Sequence, residues 1–402
     1  MNTKVLVVLL LFLLISNQRI NPQSKTKALP VIDISKNYPK KEIILQDIAD
    51  IEYIGLETTN DVLLCGLSLS DVSVLSSVSD KYICTYEWKR GNIFVFDRKG
   101  KIVNHFNHRG QSGQEYPSIS SMKAGVVFDE KNGEVFVCSK SIQVYSLSGK
   151  YKRTLDFNTM QIKSDVYNFD DETLLVYDDI IATARRLESN PKKNPYSLVS
   201  KKDGSIVGVL DIHLSKRYST NIIKEVKNDN KGNITVNSAY IAFSNNMNYG
   251  RDFVISDISS DTMYLLTQNR ELKPLLVRKP SVHASDPRVV WANELTTDKF
   301  ILIGLHTLDF NSKSGQEKSK ILMYEFETGE INEVSIRNAD YAMREWSPRD
   351  SPHIAKNMTA DMMVVPRIIE AYKKKQLKGE FEKFVAKLDE DDNPIVTVIK
   401  FK

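Results

Sequence analysis

The densest run of reactive residue types in the chain is His108-Arg109-Gly110-Gln111-Ser112-Gly113-Gln114-Glu115-Tyr116. Arg109 offers a planar fork of donors, Gln111 an amide, Glu115 a carboxylate acceptor and Tyr116 a ring with a polar tip. Two glycines allow a tight path between them. That set suits recognition of a carboxylate, a sugar or a peptide, and Arg109, Gln111, Glu115 and Tyr116 are the candidate ligand-binding residues. The plainer role, which residues of these types fill more often, is that Arg109 and Glu115 pair with each other or with strand backbone as a structural loop.

Other chemistry is thinly signalled. The six histidines (His105, His108, His213, His283, His306 and His353) form no H-E-x-x-H, and no C-x-x-C occurs, so no metal site is expected. His105 and His108, three apart, would point to opposite faces of a strand. Acidic clusters at Asp170-Asp171-Glu172, Asp178-Asp179 and Asp389-Glu390-Asp391-Asp392-Asn393 lack the spacing of a calcium loop and read as solvated turns. Lys373-Lys374-Lys375 reads as a solvated helix end. No nucleophile elbow, phosphate loop or dinucleotide fingerprint is present, so no catalytic residue and no cofactor is nominated.

Composition narrows the class. With 41% hydrophobic and 26% charged residues in 402, the chain is globular, not disordered, collagenous or many-spanning. A formal charge of +4 gives no field that would collect nucleic acid, and none is expected as a partner. Three cysteines cannot make a disulfide framework. Cys84 (YICTY) and Cys138 (VFVCS) fall at equivalent places in successive repeats, about one repeat apart, and read as buried core thiols. Cys65 has no evident partner.

The elements that must position these residues are short strands. Residues 92–106 (NIFVFDRKGKIVNHF) read as strand, glycine turn, strand, and 141–155 (SIQVYSLSGKYKRTL) repeat the pattern. Weaker copies lie at 196–210, 262–277 and 321–336. Their turn positions 100, 149, 204, 270 and 329 stand 49, 55, 66 and 59 residues apart, the length of one four-stranded propeller blade. A further strand precedes each hairpin, at 81–86, 134–139, 173–177, 253–258 and 299–305, and innermost candidates lie at 125–129 and 289–295. Five blades are visible. A sixth assembles from the two ends, 394–401 joining 31–34 and 51–56. The expected fold is therefore all-β: a six-bladed β-propeller over 30–402, closed by both termini, with a helical insertion at about 360–388 before the last strand. In that insertion Pro366 fits a helix start and Gly379 a break. A β-sandwich or paired barrels would not explain the five-fold repeat.

Residues 1–16 (MNTKVLVVLLLFLLIS) carry a lysine and then eleven apolar residues, fewer than the about 20 that a spanning helix needs. They read as a signal peptide or an uncleaved apolar anchor tethering the chain through residues 5–15. Residues 17–29 read as a flexible leader.

The stretch 96–155 resembles NHL-type propeller repeats. FDRKGK (96–101), RGQSGQEYPSI (109–119) and EVFVCSKSIQVYSLSGK (134–150) are similar to the six-bladed propeller proteins that Gram-negative anaerobes export. IEYIGLETT (51–59) and EDDNPIVTVIKFK (390–402) resemble that family's first and last strands. Two departures stand out: Asn17 occupies the place of a lipidated cysteine, and Ser112-Gly113-Gln114-Glu115 lacks the family's loop proline. The resemblance implies a periplasmic or cell-envelope protein. Export, a repeat fold with a central funnel and no catalytic signature point to a monomeric binding module for a glycan, peptide or envelope protein. The alternative is an exported hydrolase or lyase with its site in the channel.

Overall fold

Every hairpin tip expected from the sequence holds a residue with positive φ: Gly100 (79°), Gly149 (78°), Gly204 (81°), Arg270 (62°) and Gly329 (74°). Glycine enters that region freely. Two of these tips also need glycine for space. A Cβ on Gly100 would lie 2.0 Å from the Gly55 carbonyl oxygen, and one on Gly149 would lie 2.8 Å from the Phe106 ring. Each of these two turns thus presses on the end of the preceding blade's outer strand.

The computed structural model describes residues 28–64, 73–119, 125–156, 165–177, 194–214, 216–218, 221–228, 234–240, 246–284, 288–308, 318–348 and 355–402. The chain opens with β1 (Val31–Asp33), β2 (Lys40–Ile44), the short α1 (Leu45–Ile48) and β3 (Ala49–Gly55). The first blade is β4 (Ser73–Val78), β5 (Tyr82–Glu87), β6 (Ile93–Asp97) and β7 (Ile102–Phe106). The second is β8 (Val126–Asp129), β9 (Glu134–Cys138), β10 (Ile142–Ser146) and β11 (Tyr151–Leu155). The third is β12 (Asp165–Asn168), β13 (Thr173–Tyr177), β14 (Tyr196–Ser200) and β15 (Ile206–Val209). A hairpin of β16 (Asn221–Asn228) and β17 (Ile234–Tyr240) precedes the fourth blade: β18 (Asn246–Tyr249), β19 (Asp252–Ile255), β20 (Thr262–Leu266) and β21 (Leu272–Lys279). The fifth is β22 (Arg288–Thr296), β23 (Phe300–Leu308), β24 (Lys318–Glu325) and β25 (Ile331–Asn338), with β26 (Arg344–Trp346) on its edge. Last come β27 (Met358–Met363), α2 (Val365–Lys373), α3 (Gly379–Val385) and β28 (Ile395–Phe401).

Innermost strands neighbour one another around a ring: β4 beside β8, β8 beside β12, β18 beside β22, and β27 beside β4. The final contact closes it. The fold is a six-bladed β-propeller. Its closing blade is β27-β28-β3, with Ile395 opposite Gly55 and Phe401 opposite Ala49, so both ends of the chain build it as the sequence implied.

Residues 31–34 were expected in that closing blade, and here the structure differs. β1 runs parallel to β21 of the fourth blade, Val31 opposite Val277. β2 runs parallel to β25 of the fifth, Lys40 opposite Glu333. Burial explains the choice: Ile32, fully enclosed, joins the cluster of Met263, Leu276 and Trp291 between those two blades. A second correction concerns 360–363. These residues belong to β27, because Thr359, Ala360 and Met362 are buried against β28. The helices begin at Val365, with Pro366 in the first turn, and resume at Gly379. They cap the three-stranded blade, where Tyr53 of β3 stacks on Phe381 at 4.1 Å.

Candidate functional site

The loop 107–119 leaves β7 and turns most of its polar groups on its own surroundings. The Arg109 guanidinium donates to the carbonyls of Lys89 (2.7 Å) and Pro117 (3.4 Å). Tyr116 is fully buried; its hydroxyl donates to the Gly91 carbonyl at 2.7 Å and accepts the His108 N–H at 3.0 Å. Glu115 accepts the Ser112 N–H at 2.9 Å, and backbone donors there hold its carboxyl below its usual range. Arg109 and Tyr116 are joined by a backbone bridge, so the loop brings three of the four nominated residues together, with Gln111 exposed at its tip. Its outward contacts run to the neighbouring blade's third and outermost strands, through Tyr145 Oη to Gln114 O (2.6 Å) and Thr154 to Gly113 O (3.4 Å).

The mouth of the channel is built by other residues. A cavity of 680 Å³ opens where the turns between the first and second strands of four blades converge, at 79–81, 129–131, 168–171 and 250–252, with Ala355 ahead of β27. Charges crowd this rim, and most pair across blades. Lys81 meets Glu130 at 3.6 Å, Lys131 meets Asp171, and Asp170 meets Arg270 at 3.1 Å. Asp129 is held by Lys201 at 2.6 Å. Burial would raise the Asp170 carboxyl, yet hydrogen bonds from Thr173 and Glu172 and the Arg270 guanidinium keep it below its ordinary value. Among the described residues, the Asp80 carboxylate and the Arg251 guanidinium are left without a partner. Sequence reasoning missed this site because its parts lie one blade apart. The available signal was an acidic or basic residue at each inner turn.

Other nominated groups have structural surroundings. Cys84 and Cys138 are buried free thiols, and burial pushes Cys84 up to about 12 and Cys138 upward as well. His105 stacks near Phe94 at 6.0 Å, whereas His108 lies on Tyr145 and reaches Gly149 O at 2.7 Å. Asp170 caps its own turn through the Glu172 and Thr173 N–H groups. Asn393, buried, holds segment 57–64 through Glu57 O, Val62 O and Leu64 N–H. Lys373 and Lys374 pair with Glu390 and Glu370. Among the described residues no group of three or more His, Cys, Asp or Glu could hold a metal ion, and no helix is long and apolar enough to cross a membrane. The segment 1–27, Cys65, Asp178, Asp179 and His353 lie outside the described residues.

A closed ring of six blades with a polar mouth defines the chain as a six-bladed propeller protein. It belongs to the family described as a domain of unknown function, DUF4934, which it matches over residues 29–400. No curated protein matches it. Among solved structures it is similar to a Bacteroides fragilis protein described as exported, at 11% identity and a TM-score of 0.58, covering 92% of this chain and 99% of that one. It also aligns with a catalytically inactive virginiamycin B lyase from Staphylococcus aureus with quinupristin, at 11% identity and a TM-score of 0.35, over 87% of this chain and 99% of that one. A Bacteroides caccae protein of unknown function aligns at 12% identity and a TM-score of 0.30, over 65% of this chain and 75% of that one.

Proposed function

We propose that the chain is an exported cell-envelope protein that holds a glycan, peptide or partner protein at its channel mouth. The observation that supports this most is the 680 Å³ cavity with a free carboxylate on the first blade and a free guanidinium on the fourth. Its volume lies within the roughly 300–1,000 Å³ usual for ligand sites. An acceptor and a fork donor on separate turns suit a polyhydroxyl or zwitterionic ligand better than a purely apolar one. Export is supported by the apolar run at 5–15 and by the description of the Bacteroides fragilis structure of the same fold as an exported protein.

The test is a glycan and peptide array probed with wild type, Asp80→Asn, Arg251→Gln, Arg109→Ala and Gln111→Ala. Binding by wild type that falls about tenfold or more in the two mouth variants supports the proposal. Loss confined to the Arg109 and Gln111 variants would move the site to the loop 107–119. Conversion of a retained ligand into product would replace the binding role with an enzymatic one. For export, mass spectrometry of the native protein should find its first residue between about 16 and 30, or an intact chain in the membrane fraction. An intact cytosolic chain would refute it.

A further inference from the structure

A second cavity, of 160 Å³, lies between the fifth blade and the helices of the last. It is independent of the channel mouth. β26 and the turn before it form one wall; the end of β27 and the first turn of α2 form the other.

Arg344 and Trp346 stand two apart on β26 and so share a face; Glu345 between them also lines the cavity and stands opposite Arg337, which pairs with Glu42 at 3.4 Å. The turn that delivers Arg344 is strained. Ala342 (φ 44°) and Met343 (φ 57°) are consecutive non-glycine residues in the left-handed region, closed by Arg344 N–H to Tyr341 O at 2.7 Å. The Arg344 guanidinium lies over the Tyr341 ring at 5.1 Å. Opposite, α2 begins without a side-chain cap and without an acidic residue in its first turn, where Arg367 stands instead. A cation at the positive end of a helix is unfavourable unless an anion sits beside it. Among the described residues neither guanidinium has an ion-pair partner. Asp361 also lines the cavity, and its Oδ1 accepts the Met362 N–H at 2.8 Å.

We propose that this cavity binds one ring-sized organic carboxylate, its charge between Arg344 and Arg367 and its body on Trp346. A cavity near 150 Å³ holds a benzene-sized ring.

The full chain is titrated with benzoate, glucuronate and neutral benzamide, read by tryptophan fluorescence with Trp346→Phe as the reporter control. Saturable binding of benzoate, glucuronate or both is expected, with benzamide at least tenfold weaker. The two acids separate an aromatic from a sugar source. Arg344→Gln and Arg367→Gln should each weaken binding roughly ten- to a hundredfold, the scale of one charged hydrogen bond, with melting unchanged. Should Arg344→Gln melt early, Arg344→Lys and Arg367→Gln carry the test. Equal binding of benzoate and benzamide, no saturable binding of either acid, or unchanged affinity in the arginine variants would overturn the proposal.

Discussion

The Lys201 ammonium lies 2.6 Å from the Asp129 carboxylate, with 5% and 3% of their side chains exposed, and so joins the third blade to the second. The same ammonium donates to Asp170 O at 2.5 Å. The Lys201 carbonyl accepts Arg153 of the second blade at 2.9 and 2.7 Å, while that guanidinium also grips Glu134 through two bonds of 2.7 Å. Asp170 passes the connection to Arg270 of the fourth blade. Three blades are tied through one lysine.

Removing one partner leaves the other buried and charged. Lys201→Met or Asp129→Leu should cost about 3–5 kcal/mol, whereas the double variant should recover much of that loss. Urea unfolding of the four proteins measures the coupling; additive losses would contradict it.

Tyr116 is fully enclosed, and its hydroxyl joins Gly91 to His108. Tyr116→Ala should destabilise the chain by about 3–5 kcal/mol, and Tyr116→Phe by about 1 kcal/mol. Calorimetry checks both. An unaffected melting temperature in Tyr116→Ala would show that the loop does not need the ring.

Asp298 links three blades, taking Tyr249 Oη at 2.6 Å, Lys356 at 2.7 Å and Asn357 at 3.0 Å. Lys356, then Tyr249, hold its carboxyl at about 2, below the ordinary 3.8. Its folded value is depressed, so its contribution is present above about pH 4 and disappears as pH falls toward about 2. Asp298→Asn should therefore flatten the acid limb of stability in that window and leave the neutral region's slope unchanged.

Cys84 and Cys138 should resist thiol reagents at pH about 8 in the native protein, because burial favours the protonated thiol. Denatured without reductant, the chain should label at all three cysteines. Two protected thiols would reveal a disulfide.

Deleting residues 394–402 removes β28 from between β27 and β3 and, with it, buried Ile395, Val396, Val398, Ile399 and Phe401. The whole ring should lose cooperative unfolding. A variant whose denaturation midpoint is unchanged would show that the closing blade is dispensable.

The repeat was legible because the hairpin tips announce themselves: Gly100, Gly149, Gly204 and Gly329 mark a backbone region that other residues avoid. Arg270 shows itself only through the strand–turn–strand pattern of 262–277, with no glycine to mark the tip. The pairing of β1 and β2 is not legible in the sequence, because a parallel edge pairing has no turn to signal it and Val31–Asp33 is too short to show a period. Met358–Met363 is hard to tell from the helix in sequence, since its buried residues run straight into the apolar face of α2. The loop 108–116 was easy to single out, but nothing in its residue types discloses that Arg109 donates to the Lys89 carbonyl. The channel mouth was illegible for the opposite reason. Asp80 and Arg251 are ordinary turn residues until the ring brings them to one opening.

The path of 31–55 along the outer edges of three successive blades has a mechanical consequence. A pull applied to the chain ahead of Leu29 loads the β1–β21 ladder first, then β2–β25, and reaches β3 in the closing blade only after both have peeled. Stretching force from that end is spent one short ladder at a time, and the blade that keeps the ring shut is the last to feel it.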